Sequence, residues 1–137
     1  MANLFASVLT PTPKKSSAAK GDLETIVDSA AAEYGVDKAL ARRLVSTESA
    51  WDPSAKSSAG AVGLGQLMEG TAADLGVTDR TNPEQNARGS MRYFKQLQKR
   101  YGGDDTKAAA AYNWGMGNLD KALTKYGDRW LDAAPAE

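Results

Sequence analysis

From Gly21 onward the apolar positions repeat at helical spacing. Leu23, Ile26, Val27, Ala30, Ala31 and Tyr34 fall at offsets 0, 3, 4, 7, 8 and 11 and predict one amphipathic helix. Asp22 can cap its start and Gly35 its end. Asp37 opens a second helix whose core side carries Ala41, Leu44 and Val45. Trp51-Asp52-Pro53 should end it, because the residue before proline disfavours the α conformation. Residues 54–65, rich in Ser, Ala and Gly, predict a loop. A short helix is expected around Gln66 to Met68, and another from Thr71 to Gly76.

Asn82-Pro83-Glu84-Gln85 combines a cap, a proline at the first helical position and a side chain that can reach back. It opens the longest helix, with Ala87, Met91, Phe94 and Tyr101 on its core face and Gly102-Gly103 after it. An alanine-rich helix follows from Asp105 or Thr106 to near Trp114. A last one is expected from Asn118, with Leu119, Ala122, Leu123 and Tyr126 on one face. No segment alternates as a strand does. The pattern predicts an all-α domain over residues 21–137, preceded by a polar, Pro-containing leader over residues 1–20.

Composition narrows the chemistry. The chain has 137 residues, enough for one domain with a core of its own. Lys+Arg and Asp+Glu are both 17, unlike a general nucleic-acid binder. Cys and His are both 0, which excludes thiol nucleophiles, Ser-His-Asp triads and imidazole-bound zinc. No metal-ligand cluster and no cofactor motif appears. No apolar run is long enough to span a bilayer, and Lys14 and Lys15 follow rather than precede the apolar start, against a signal peptide.

One carboxylate is out of place for a soluble surface. Glu48 shares the narrow stripe of Ala41, Leu44 and Val45, while Arg42, Arg43 and Ser46 lie away from it. A carboxyl group on an apolar face loses hydration, which favours its protonated form. Such an acid can protonate the leaving oxygen of a glycosidic bond. The bland alternative is a glutamate paired with arginine or reaching off the helix end. A second charged pattern, Arg88, Arg92, Lys95 and Lys99, lies opposite Phe94 and Tyr101. It is either a solvated face or a docking surface for an anionic partner.

Three blocks then occur in order: Glu48-Ser49 with Pro53-x-Ala55-x-Ser57, Gly60-Ala61-x-Gly63-Leu64-x-Gln66, and Ala111-Tyr112-Asn113-x-Gly115. Over roughly Leu40 to Leu123 the chain resembles the soluble lytic transglycosylase family, whose lysozyme-like helical domain cleaves peptidoglycan. The resemblance implies that Glu48 is the catalytic acid/base and that Ser57 assists near it and the substrate N-acetyl group. It implies glycan contacts for Gln66, Met68 and Asn113, and a Tyr112 hydroxyl directed at the catalytic carboxylate. Read without the family, Gln66 is equally a loop-capping amide and Tyr112 a core aromatic beside Ala108. The chain departs from the family at Gly65, where Met is common; the missing side chain leaves the cleft width and sugar preference open. It also departs at Glu69, often Pro, and at Trp114, either a sugar platform or core filler.

The implied reaction cuts between N-acetylmuramic acid and N-acetylglucosamine. Glu48 acts as acid and then as base, and a 1,6-anhydro end forms without metal or cofactor. The alternatives are a goose-type lysozyme, with Asp52, Asp74 or Asp79 positioning water, and a non-catalytic wall-binding or virion module. The implied partner is the peptidoglycan glycan strand. A phage setting, with other virion proteins as partners or release to the host wall, accords with the expected lack of a signal peptide.

Overall fold

The structure is a computed structural model that describes residues 19–135. Residues 1–18 of the expected leader lie outside the described residues, and Lys20 already belongs to a helix. Six α-helices follow: α1 Lys20–Tyr34, α2 Lys38–Ser49, α3 Glu69–Asp74, α4 Pro83–Arg100, α5 Asp105–Trp114 and α6 Met116–Tyr126. A 3-10 helix, Gly127–Ala133, closes the order. Among the described residues there is no strand. Two isolated antiparallel bridges, Lys56 with Val62 and Val62 with Leu67, tie the segment between α2 and α3 to itself.

Local chemistry explains most boundaries. Asp37 caps α2 by accepting the Leu40 N–H at 2.9 Å, and Asn82 caps α4 by accepting the Gln85 N–H at 3.0 Å. Gly35 ends α1 in the left-handed conformation, at φ 71°. Several expectations are corrected. Asp22 sits inside the first turn of α1, whose N-cap is Ala19. Helix α2 stops at Ser49 because Ala50 and Trp51 both turn left-handed, before the proline acts. Gln66 is also left-handed, so no helix forms at 66–68. Thr71 lies within α3 rather than capping a second helix.

The Gln85 side chain does not reach back to the cap. Its Oε1 instead accepts from the Thr78 N–H, the Thr78 hydroxyl and the Asp79 N–H. Helix α5 begins at Asp105, as expected, and Asp104 caps it by accepting the Lys107 N–H at 3.0 Å. Helix α6 starts two residues early, and Asn118 donates back to the Trp114 carbonyl at 2.7 Å.

One core joins the helices. Val27, Ala30 and Ala31 of α1, Ala41 and Val45 of α2, and Met91, Phe94 and Leu97 of α4 are all buried in it. Ala108 and Ala111 of α5, Leu119 of α6 and Trp130 of the 3-10 helix complete it. Alanines recur where helices approach closely, since a small side chain permits short interaxial distances. A second cluster, Leu67, Ala72 and Leu75, anchors α3, with Val77 and Tyr93 against it.

Two of the four basic residues of the stripe on α4 have partners, and one of the two, Arg88, meets an acidic one. Arg88 forms a two-pronged pair with Glu33, both bonds at 3.0 Å, and Lys95 donates to the Gly35 carbonyl at 3.3 Å. The pattern therefore serves in part to tie α4 to α1.

Candidate active site

Glu48 lies on the last turn of α2 and is 2% exposed. Its companions on the stripe, Ala41, Leu44 and Val45, are buried as well. The side chain therefore does not reach off the helix end into solvent. Directly after it, Ala50 and Trp51 hold φ of 52° and 66°. Two consecutive left-handed residues with side chains are strained. Such strain persists where surrounding packing dictates the path, and here the half-buried Trp51 packs on the core.

Tyr112, from α5, approaches the same region. Its hydroxyl donates to the Gly65 carbonyl at 2.7 Å. Its ring packs 5.3 Å from Tyr93 and 6.3 Å from Phe94 between centroids. Burial pushes the phenol well above its ordinary pKa of 10.0. The negative charge of nearby Glu48 pushes it further, and a hydrogen bond with Ser90 works against both. Burial thus favours the neutral phenol, within electrostatic reach of Glu48.

The segment between α2 and α3 is built around Gln66. Its Nε2 donates to the Ala55 carbonyl at 3.0 Å and to the Gly63 carbonyl at 2.9 Å, so the amide does cap the loop. Its Oε1 is buried and accepts no hydrogen bond from the described residues. Ser57 stands across the same loop. Its Oγ accepts from the Ala59 N–H at 3.2 Å and the Ala61 N–H at 3.0 Å, leaving the hydroxyl proton for another partner. Met68 is 45% exposed at the N-terminus of α3. Gly65 is not a gap in a wall. A Cβ there would stand 1.9 Å from Ser90 Oγ and 2.7 Å from the Tyr112 hydroxyl, so these groups already fill the space.

Asn113 faces elsewhere. It lines a groove of about 530 Å³ between α2 and α5, with Leu40, Leu44, Thr47, Ala109 and Trp130. Its Oδ1 is buried and accepts no hydrogen bond from the described residues. The groove runs along the helix that carries Glu48, and Thr47 is its immediate neighbour. Ser57, Gln66 and Met68 do not line it. Trp114 is half-buried against the core.

The other acidic candidates have structural partners. Asp52 Oδ1 accepts the Ser54 N–H at 2.9 Å. Asp79 Oδ1 accepts the Thr81 hydroxyl at 2.6 Å and the Thr81 N–H at 3.0 Å, and these bonds hold its carboxyl below the usual range. Asp74 is exposed at the end of α3. No group of three or more Asp and Glu among the described residues could hold a metal ion. Sequence reasoning missed two buried polar residues of α4, Asn86 and Ser90, both 0% exposed. The signal was present: they continue the stripe of Phe94 and Leu97 one and two turns earlier.

Comparison with known proteins places the chain in a family. The chain is 40% identical over 121 residues to the membrane-bound lytic murein transglycosylase F of Saccharophagus degradans, covering 80% of this chain and 24% of that protein. It is 36% identical over 105 residues to the peptidoglycan transglycosylase of Escherichia phage T7, covering 72% of this chain and 8% of that one. The chain thus spans well under half the length of these relatives. Its fold matches an inactive Glu-to-Gln mutant of the lytic transglycosylase Slt from Pseudomonas aeruginosa with TM-score 0.73 and 27% identity, over 82% of this chain and 20% of that one. The family described as the transglycosylase SLT domain matches residues 25–132. With that match covering most of its length, and its helices superposing on a solved member, the chain belongs to the transglycosylase SLT domain family.

Proposed function

We propose that this chain cleaves peptidoglycan glycan strands as a lytic transglycosylase, with Glu48 as its single acid/base. The observation that carries the reading is a carboxyl 2% exposed on an apolar helix stripe, beside a phenol that its charge acts upon. Desolvation favours the protonated acid needed to donate to the glycosidic oxygen. Once ionised, the same group takes the proton from the muramoyl C6 hydroxyl, which attacks the anomeric carbon of its own sugar. The bond to the departing N-acetylglucosamine breaks in the first step, as Glu48 protonates its oxygen; the 1,6-anhydro ring closes in the second, and no water is consumed. The substrate's acetamido group shields the anomeric centre meanwhile. Intramolecular attack draws on proximity rather than a second protein carboxylate.

The neighbouring residues fit supporting roles. Tyr112, a buried phenol whose hydroxyl donates to the Gly65 carbonyl, lies within electrostatic reach of the carboxylate. Gln66 Oε1 and Asn113 Oδ1 are buried and accept no hydrogen bond from the described residues, which leaves each an acceptor in its own place, Gln66 in the 62–66 turn and Asn113 in the groove between α2 and α5. Ser57 retains a proton to donate, and Met68 offers an exposed apolar contact. The relative from a bacteriophage supports action on the host wall from a virion. No helix among the described residues is long and apolar enough to cross a membrane.

The experiment is digestion of purified peptidoglycan with mass spectrometry of the products, for the parent and Glu48→Gln. Muramoyl ends lighter than the hydrolytic products by one water are expected. Glu48→Gln should lower turnover at least ~100-fold, the scale of general acid–base catalysis, with Tm unchanged or raised. Hydrated reducing ends would make the protein a lysozyme, and full activity in the Gln variant would remove Glu48 from the chemistry.

A further inference from the structure

Asn86 and Ser90 belong to none of the three sequence blocks, yet they connect two of them. The Asn86 carboxamide makes four hydrogen bonds. Its Oδ1 accepts from the Gly65 N–H at 2.8 Å and from the Ser90 hydroxyl at 3.1 Å. Its Nδ2 donates to the Val62 carbonyl and the Arg80 carbonyl, both at 2.9 Å. Two donors and two acceptor positions are thereby filled, which is the whole capacity of the group. The fit leaves no slack. A Cβ at Gly63 would lie 2.1 Å from Asn86 Nδ2, and one at Gly65 would lie 1.9 Å from Ser90 Oγ.

The chain of contacts does not end in the loop. The peptide whose N–H Asn86 holds belongs to Gly65, and the Gly65 carbonyl receives the Tyr112 hydroxyl at 2.7 Å. Ser90 donates its one hydroxyl proton to Asn86, and its Oγ and the Tyr112 hydroxyl crowd the same side of Gly65, so that Ser90 acts on the phenol as a close neighbour. Tyr112 in turn feels the charge of Glu48. The residue after Gly65 is Gln66, whose left-handed backbone and two amide donors depend on the same turn. Helix α4 thus reaches both blocks through one buried amide and one hydroxyl.

We infer that Asn86 is a positioning residue, seconded by Ser90: it holds Gly65 so that the Gly65 carbonyl fixes the Tyr112 phenol against Glu48. This rests on the assignment of Glu48 above. Asn86 touches no substrate; it acts through the 62–66 turn, where a small misalignment is felt at the reacting groups.

Asn86→Asp tests this with almost no change of shape. The new oxygen faces the Val62 and Arg80 carbonyls, which a carboxylate repels and a carboxylic acid can satisfy with one O–H. Burial against two carbonyls raises the new carboxyl above its ordinary range. Turnover of soluble uncrosslinked glycan strands should fall about tenfold or more at pH 7 per folded molecule, a modest misplacement cost. KM should stay within about threefold. The loss should ease toward acid pH, a limb the parent lacks. Ser90→Ala keeps three of the four Asn86 bonds. It should lower kcat about threefold or more with KM retained, a transition-state loss.

Parental kcat at every pH in folded Asn86→Asp, or a Tm loss with no kcat change, overturns the inference. If Asn86→Asp does not fold, Ser90→Ala decides alone, and its parental kcat overturns the inference. If the parent itself does not cleave glycan strands, the proposed function fails while the coupling remains readable by NMR. Displaced Tyr112 ring and Gln66 side-chain amide resonances in Ser90→Ala then uphold it, and unmoved ones overturn it.

Discussion

Among single residues, Gly65 decides more than its size suggests. Its missing Cβ is the space that Ser90 and the Tyr112 hydroxyl occupy. Gly65→Ala inserts a carbon where backbone and helix must part, and overpacking of this kind costs about 1–3 kcal/mol. Thermal denaturation should register a fall of a few degrees, and a Tm equal to the parent's would mean that the turn and α4 separate freely. The acidic residues make the opposite point. Asp52 and Asp79 spend their oxygens on their own turns. Asn at either position, or at Asp74, should leave kcat per folded molecule within about twofold, since none enters the proton transfers. A selective kcat loss at one of them, with Tm unchanged, would identify a water-positioning carboxylate and favour hydrolysis.

At the level of elements, capping and left-handed exits set the helix ends more sharply than the apolar period does. Asn82 accepts the Gln85 N–H at the start of α4, the helix that carries Asn86 and Ser90. Asn82→Ala should cost about 1 kcal/mol, typical of a lost N-cap, seen as a lower urea midpoint with unchanged m-value. Because the first turn of α4 leads directly to Asn86, hydrogen exchange at Gly65 should quicken in the same variant. The α2 exit follows another rule. Ala50 and Trp51 sit left-handed although neither is glycine, because the buried Ser49, Pro53 and Ala55 leave the chain no other path.

For the whole molecule, alkaline pH is the informative variable. Burial raises Tyr112, Tyr93 and Tyr101 above 10.0. A raised folded pKa means that the native state holds its protons more tightly than the unfolded chain. The associated stability is fully present below pH 10 and is lost as pH rises beyond it. The urea midpoint should therefore show no tyrosine contribution up to about pH 10 and fall above it, more gently in Tyr112→Phe. A midpoint independent of pH between 10 and 11.5 would mean that these phenols are hydrated. Charge as a whole is balanced, with 17 basic and 17 acidic residues. On α4, Arg92 and Lys99 have no salt bridge or hydrogen bond among the described residues, unlike Arg88 and Lys95. Changing both to Gln should shift sedimentation with cell walls at 0.15 M salt by no more than about twofold, because isolated surface charges are screened.

Periodicity and composition alone carried the helical class, the long α4, the burial of Glu48 and the exclusion of thiol, imidazole and nucleic-acid chemistry. These are properties of spacing, and spacing is local. The caps at Asp37 and Asn82 were legible for the same reason, since a side chain reaches a backbone N–H three residues on. Asn86 and Ser90 were half legible, as polar residues on an apolar stripe. Their partners lie up to 24 residues away and cannot be read from spacing. Gln66 and Gly65 were placed by resemblance, but their geometry was not: the left-handed turn at Gln66 and the filled space at Gly65 exist only once α4 and α5 pack around the loop. The 3-10 helix that brings Trp130 into the core has too short a pattern to announce itself. Long-range packing decided those features because each one depends on groups that sequence separates and only the folded chain brings within bonding distance.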